Sequence, residues 1–84
     1  MKKFLVVIIR KPNFSGENLN AHREYIQKLR ELKILNLAGG FKDQTGGAYV
    51  LECTSLEEAR NIIIADPMND PSETLYEIKE WVAS

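Results

Sequence analysis

The chain has 84 residues, which is enough for one small domain and too little for two. Hydrophobic residues make up 44% and charged residues 27%, with a net charge of −1, as in an ordinary globular protein. The charges form no basic stripe and no apolar run is long enough to span a bilayer, so we expect neither a nucleic-acid partner nor a membrane. The single cysteine, Cys53, excludes an internal disulfide and favours a cytoplasmic location.

The first half of the chain predicts a strand, a helix and a second strand. Residues 3–9 form a β-branched run that is apolar on both alternating faces, which is typical of a central strand covered on both sides. Pro12 and Gly16 then mark a loop, and a helix is predicted over about 18–34. The second strand, 34–42, contains Gly39 and Gly40.

The second half of the chain repeats the alternation of strands and helix. A turn at 43–47 leads into a strand over 48–53. Ser55 and Glu58 form a capping-box pattern that opens a helix over 55–65, and Pro67 ends it. After the loop at 66–72, a last strand is predicted over about 73–82.

The order β-α-β-β-α-β is that of the ferredoxin-like α+β fold. It predicts one domain over 1–84, with two helices on one face of a four-stranded antiparallel sheet. The other face would remain apolar, and the chain has no further segment to cover it. The simplest cover is a second copy in a sheet-to-sheet homodimer; the alternative is a monomer with an open, partly apolar sheet.

The one histidine of the chain, His22, is the first candidate for chemistry. Tyr25, Ile26, Leu29 and Leu32 follow it at helical spacings, which places the imidazole on the apolar stripe of the first helix. Tracing the strand directions puts Asp66, just after the second helix, at the same end of the molecule. A hydrogen bond between the two would make an oriented general acid–base, or only a structural tie between the helices.

Other residues at this end are candidates for contacts with a substrate. Gly39 and Gly40 lie within a predicted strand, where glycine often marks either a close approach by a ligand or a plain bend. Arg10 is either a group that binds a substrate carboxylate or a solvated charge. Tyr25 and Trp81 are predicted as core aromatics, with a binding cage as the alternative. The residues assigned to substrate binding are Gly39, Gly40, Arg10, Tyr25 and Met68.

Several kinds of chemistry are not predicted. No phosphate-binding loop or dinucleotide fingerprint is present, and one histidine with one cysteine gives no paired metal-ligand spacing, so we expect neither a cofactor nor a metal. Cys53 is expected at the far end of its strand as a small core or rim residue rather than a nucleophile.

Taken together, several segments resemble the YCII-related (YciI-like) proteins. They are FLVVII at 4–9, HREYIQKL at 22–29, LAGG at 37–40, SLEEA at 55–59, ADP at 65–67, and the end of the chain near Trp81. The resemblance covers essentially the whole chain, and the histidine and Ala-Asp-Pro segments are its most specific parts. Two departures are Met68, where the family usually has an aromatic residue, and the loop 69–72, which lacks the usual glycine-led stretch.

The resemblance implies a ferredoxin-like subunit of a dimeric α+β barrel, with His22 and Asp66 as a catalytic dyad in a small cleft. Relatives and fold neighbours include a dehydrochlorinase of hydroxyaromatic compounds and muconolactone isomerases. The resulting hypothesis is general acid–base proton transfer on a small aromatic or unsaturated acid, of isomerase or lyase type. The alternative is a non-catalytic, dimeric small-ligand-binding or accessory protein in which the His–Asp pair is structural.

Overall fold

The computed structural model describes residues 1–83 and contains the six elements that the sequence predicts. They are β1 (Lys2–Arg10), α1 (Leu19–Glu31), β2 (Leu35–Gly40), β3 (Gly46–Cys53), α2 (Leu56–Ile64) and β4 (Thr74–Glu80). The strands form one antiparallel sheet in the order β2-β3-β1-β4, with β1 in an inner position. The predicted ferredoxin-like α+β fold is confirmed. In the described part of the chain, no helix is long and apolar enough to cross a membrane.

The end of α1 differs from the prediction. The helix stops at Glu31 rather than near residue 34, because Lys33 adopts a left-handed conformation (φ 61°) and the Ile34 amide bonds back to the Leu29 carbonyl. Leu32 is consequently 60% exposed, so the apolar stripe that begins at His22 ends at Leu29. The predicted N-cap of α2 is confirmed, since the Ser55 side chain accepts a hydrogen bond from the Glu58 amide. The second half of the capping box differs, because the Glu58 carboxylate accepts a hydrogen bond from the Thr54 hydroxyl.

The core lies between the two helices and one face of the sheet. Alternate residues of β1 and β3 point into it, and the helices contribute Leu29, Ala59 and Ile63. The fully buried side chains of β1 and β3 include Phe4, Val6, Leu51 and Cys53. The assignment of Cys53 to the core is therefore confirmed.

The opposite face of the sheet is mostly apolar, and no element within residues 1–83 covers it. Its exposed large apolar residues come from β1, β2 and β4 or their ends: Ile9, Leu37, Phe41, Leu75 and Trp81. Trp81 was predicted in the core but is 48% exposed, because the alternation of β4 places it on this face rather than beneath the helices. We call these five residues the open-face cluster.

Two glycines allow β3 to lie close to both of its neighbouring strands. A Cβ atom at Gly46 would lie 1.8 Å from the Ile8 carbonyl oxygen, and one at Gly47 would lie 2.5 Å from the Gly39 oxygen. The glycines selected from the sequence, Gly39 and Gly40, are less restricted: a Cβ atom at Gly39 would have no neighbour within 4 Å. The fold therefore requires glycine at 46 and 47, which the sequence analysis treated only as a turn.

This difference predicts a contrast between two substitutions on neighbouring strands. Gly47→Ala should lower the free energy of unfolding by about 1–3 kcal/mol, because its methyl group meets backbone that must shift. Gly39→Ala should be neutral or slightly stabilising, since it only removes flexibility from the unfolded chain. Denaturant unfolding of the two variants checks the prediction, and equal losses would contradict it.

Candidate functional site

The topology brings His22 and Asp66 together at one end of the molecule. His22 lies in the first turn of α1, which begins at this end after β1, and Asp66 follows the last turn of α2, which ends there. The Nδ1 atom of His22 lies 2.8 Å from Oδ1 and 2.9 Å from Oδ2 of Asp66. The spatial pairing expected from the sequence is therefore present.

Asp66 is the most heavily bonded side chain of the site. Its carboxylate is fully buried and accepts hydrogen bonds from the Tyr76 hydroxyl at 2.9 Å, the Tyr49 hydroxyl at 3.4 Å and the Met68 amide at 3.0 Å, besides His22. An ionised carboxylate needs such donors once water is removed, and they compensate for its burial. The result is a fixed acceptor for the imidazole.

This bonding pattern assigns the two nitrogens of the imidazole different roles. An ionised carboxylate can only accept, so Nδ1 of His22 carries the hydrogen that it donates to Asp66. In the neutral ring the lone pair is then on Nε2, which has no hydrogen-bond partner within residues 1–83. The side chain is 15% exposed, which leaves part of the ring accessible.

All three tyrosines of the chain lie near this carboxylate, and their phenols resist ionisation. Burial raises the pKa of Tyr49 and Tyr76 strongly, and the negative charge of Asp66 raises both further. Burial also raises the pKa of Tyr25, again with a contribution from Asp66. The tyrosines therefore act as neutral hydrogen-bond donors over the physiological pH range.

A cavity of about 360 Å³ lies in front of the imidazole, between α1 and the hairpin end of the sheet. Its apolar wall includes Ile8, Leu19 and Ile26, and its polar wall includes His22. The glycines at 39, 40, 46 and 47 line it with backbone. This volume is at the lower end of the range for small-molecule sites.

The structure gathers most of the residues predicted to bind substrate around this cavity. Gly39, Gly40, Arg10 and Met68 all line it. Tyr25 does not, because its hydroxyl turns away to donate to the Ile62 carbonyl at 2.6 Å and its ring packs against the core. The core assignment of Tyr25 is therefore confirmed, and the structure places it outside the cavity.

Four residues of the site were missed by the sequence analysis. Tyr49 and Tyr76 bond to Asp66, and Arg23 and Arg30 line the cavity. The tyrosines left a usable signal, because strand alternation places them on the same face as buried Val6 and Ile8, where a hydroxyl needs a partner. The arginines left none beyond their position on α1, where a charge is ordinarily solvated.

Two other kinds of centre find no support at this site. Residues 1–83 contain no group of three histidine, cysteine or acidic side chains arranged to hold a metal ion. The Cys53 thiol is buried at the opposite end of β3, near Ser55, and burial raises its pKa. A cysteine–histidine nucleophile pair is therefore absent from the described residues.

The raised tyrosine pKa values predict a loss of stability at alkaline pH. Unfolded phenols ionise near pH ~10, whereas the folded phenols ionise only above that, so the unfolded state loses protons first. The contribution is complete below about pH 10 and is lost as the pH rises above it. Unfolding free energies measured between pH 8 and 11 should fall accordingly. Tyrosinate absorbance that develops near pH 10 in the folded protein would contradict the prediction.

A matched variant isolates the bond between Tyr76 and Asp66. Tyr76→Phe should reduce the alkaline loss of stability and lower the free energy of unfolding at neutral pH by about 1–3 kcal/mol, because the carboxylate loses a donor. An unchanged stability at neutral pH would indicate that the hydroxyl is dispensable to the buried carboxylate.

Comparison with known proteins identifies the family. The YCII-related domain matches residues 3–82. The uncharacterized protein YjpA of Bacillus subtilis (strain 168) is 41% identical over 81 residues, which span 96% of this chain and 95% of that protein. The fold is also that of the 5-chloro-2-hydroxyhydroquinone dehydrochlorinase TftG from Burkholderia phenoliruptrix AC1100, solved with 2,5-dihydroxybenzoquinone: the TM-score is 0.80 at 20% identity, covering 98% of this chain and 95% of that chain. The resemblance found in the sequence is confirmed, and the chain belongs to the YCII-related family.

Proposed function

We propose that this protein is a small-molecule enzyme in which His22 transfers a proton to and from a substrate bound in the cavity. The observation that carries the proposal is the hydrogen bond from Nδ1 to the buried Asp66, which leaves Nε2 as the free base of an imidazole that lines the cavity. An imidazole held in one orientation by a carboxylate is an effective general acid–base near neutral pH.

The proposed reaction begins with removal of a proton from a carbon atom next to a carbonyl group. The C–H bond breaks, its electron pair remains on the substrate as an enolate, and the proton moves to Nε2. The Asp66 carboxylate stabilises the imidazolium that forms, and its other donors keep it in place. Return of the proton to a different carbon gives isomerisation; departure of a leaving group with its bonding electrons gives elimination.

The substrate class that we propose is a small aromatic or unsaturated acid or hydroxyquinone. The cavity is sized for a single ring and combines apolar side chains with bare glycine backbone. The dehydrochlorinase with the same fold, solved with 2,5-dihydroxybenzoquinone, provides a first group of compounds to test. We also propose a cytoplasmic location, because a chain with a single cysteine fits a reducing compartment.

The second candidate function is a non-catalytic, ligand-binding or accessory protein. The observation that favours it is the complete satisfaction of Asp66 by donors from α1, β3, β4 and its own loop, which is also expected of a purely structural junction. Under this hypothesis the cavity binds a ligand without changing it.

Proton exchange with solvent distinguishes the two candidates. Small unsaturated acids and hydroxyquinones incubated with the protein in D2O should gain deuterium at the activated carbon, as followed by NMR. His22→Gln should slow this exchange about 10²- to 10⁴-fold, the usual contribution of a general base. Exchange that is absent for the wild type across the panel, or unchanged in His22→Gln, would favour the binding protein.

Asp66→Asn tests the role of the carboxylate. The asparagine amide can donate to Nδ1, which shifts the hydrogen of the imidazole to Nε2 and removes the free base. We expect the ¹⁵N spectrum of the single histidine to report this tautomer change, together with slower exchange. If the His–Asp pair is only structural, His22→Ala should lower the free energy of unfolding by about 1–3 kcal/mol, because the buried carboxylate loses a donor. The tautomer change in Asp66→Asn should then have no effect on the rate of deuterium exchange.

We further propose that the protein is a homodimer joined through the open-face cluster. The cluster is contiguous across the sheet, and the central strands add Leu5, Val7 and Val50 to the same face. Identical faces related by a two-fold axis would cover one another, with Glu77 and Lys79 of β4 supplying charges of both signs on this face.

A pair of charge substitutions tests the dimer. Leu37→Lys should shift the protein from dimer to monomer in sedimentation, because the 68% exposed side chain lies within the proposed interface. Ile64→Lys is the matched control, since this residue is 71% exposed on α2, away from the sheet. A monomeric wild type, or equal behaviour of the two variants, would contradict the proposal.

A further inference from the structure

The charges on the cavity wall are all of one sign. Three arginines line it, Arg10 from β1 and Arg23 and Arg30 from α1, and none of the lining residues is acidic. Arg23 and Arg30 are seven residues apart, which places them on one side of α1 about 10 Å from each other along its axis. Positive charge therefore faces the cavity from the sheet and from two turns of the helix, although the whole chain has a net charge of −1.

These positive charges lack carboxylate partners. The ion pairs within residues 1–83 are Lys3 with Glu52 and His22 with Asp66, so no arginine of the cavity is neutralised by an acidic side chain there. Within residues 1–83, the one side-chain hydrogen bond of Arg23 is to the Asn20 side-chain oxygen, at 3.5 Å. Several like charges around one concave space attract anions and disfavour neutral occupants.

Arg10 is held in place and retains an unused donor. Its Nη1 donates to the Gln44 carbonyl at 3.2 Å, and its guanidinium group stacks 4.5 Å from the centre of the Phe14 ring. Its Nε atom is buried without any partner, and no other buried side-chain nitrogen or oxygen within residues 1–83 is left in this state. A buried donor without an acceptor costs free energy, which an anion at the guanidinium edge would recover.

We propose that the cavity selects a small organic dianion, a dicarboxylate, bound by arginines from both walls. Arg10 binds one carboxylate on the sheet side, and Arg23 and Arg30 bind the second on the helix side. This inference rests on the proposed function, since it names the charge of the substrate that His22 would act on. Two carboxylates on one ring-sized skeleton match both the cavity volume and the opposed arginines.

A series of three aromatic probes with one ring and different charge tests the proposal. Benzyl alcohol, benzoate and isophthalate carry no, one and two negative charges, and their binding to the wild type is measured by calorimetry at constant ionic strength. We expect isophthalate to bind about tenfold or more tightly than benzoate, which corresponds to ~1.4 kcal/mol or more, and benzyl alcohol to bind weakest. Equal affinities, or no binding of isophthalate, would overturn the proposal.

Variants assign the effect to the cavity. Arg10→Met and Arg30→Met should each remove most of the preference for isophthalate over benzoate. Arg60→Met is the matched control, because Arg60 is exposed on α2 and does not line the cavity. It should leave the preference unchanged. If Arg10→Met and Arg60→Met behave alike, the positive charge acts only through the overall field and the proposed site is wrong.

The outcome is separable from that of the proton-exchange experiment. Isophthalate undergoes no proton transfer, so its binding is measured independently of catalysis. His22→Gln should lose exchange but keep the preference for isophthalate. Exchange on an unsaturated acid with a single carboxylate, without any preference for isophthalate over benzoate, would overturn the dicarboxylate proposal and leave the acid–base proposal standing. A preference for isophthalate without any proton exchange would support the dicarboxylate site and overturn the acid–base proposal.

Discussion

The burial of one carboxylate is the constraint on which this end of the molecule depends. Asp66 is fully shielded from solvent, and an ionised group in that position is tolerated only when hydrogen bonds replace its water. Its donors come from α1 through His22, from β3 through Tyr49, from β4 through Tyr76, and from its own loop through the Met68 amide. A single side chain therefore fixes the relative positions of three elements and a loop.

The same hydrogen bonds make the site asymmetric. On one side of the imidazole, Nδ1 is bonded to the buried Asp66 carboxylate, whereas the His22 side chain also lines the cavity. A base that is oriented before the substrate arrives costs little reorganisation during the reaction. The negative charge of Asp66 lies on one side of His22, and the positive charges of the arginines line the cavity on the other. The electric field across the site is therefore directed from the cavity toward Asp66.

The sheet separates the cavity from the mostly apolar open face. Gly39, Gly40 and Ala48 line the cavity and also a shallow groove on the open face that Leu37 and Trp81 help to form. The β2–β3 hairpin is thus a thin wall between them, in which Gly46 allows β3 to lie close to β1 and Gly47 allows it to lie close to β2. Both helices pack on the core face of the sheet, so no element within residues 1–83 covers the opposite face.

The sequence by itself determined the element order, the fold and the placement of His22 and Asp66 at the same end of the molecule. Period-two and helical patterns are local, and the right-handed crossovers then place the two residues at the same end. Only the tertiary structure decided what surrounds them. The bonds of Tyr49 and Tyr76 to Asp66 depend on strand register. The position of the three arginines along the cavity depends on how α1 packs over the sheet, and Tyr25 lies outside the cavity because its hydroxyl donates to the Ile62 carbonyl. Trp81 was misplaced because its aromatic character predicted burial, whereas the alternation of β4 set its face.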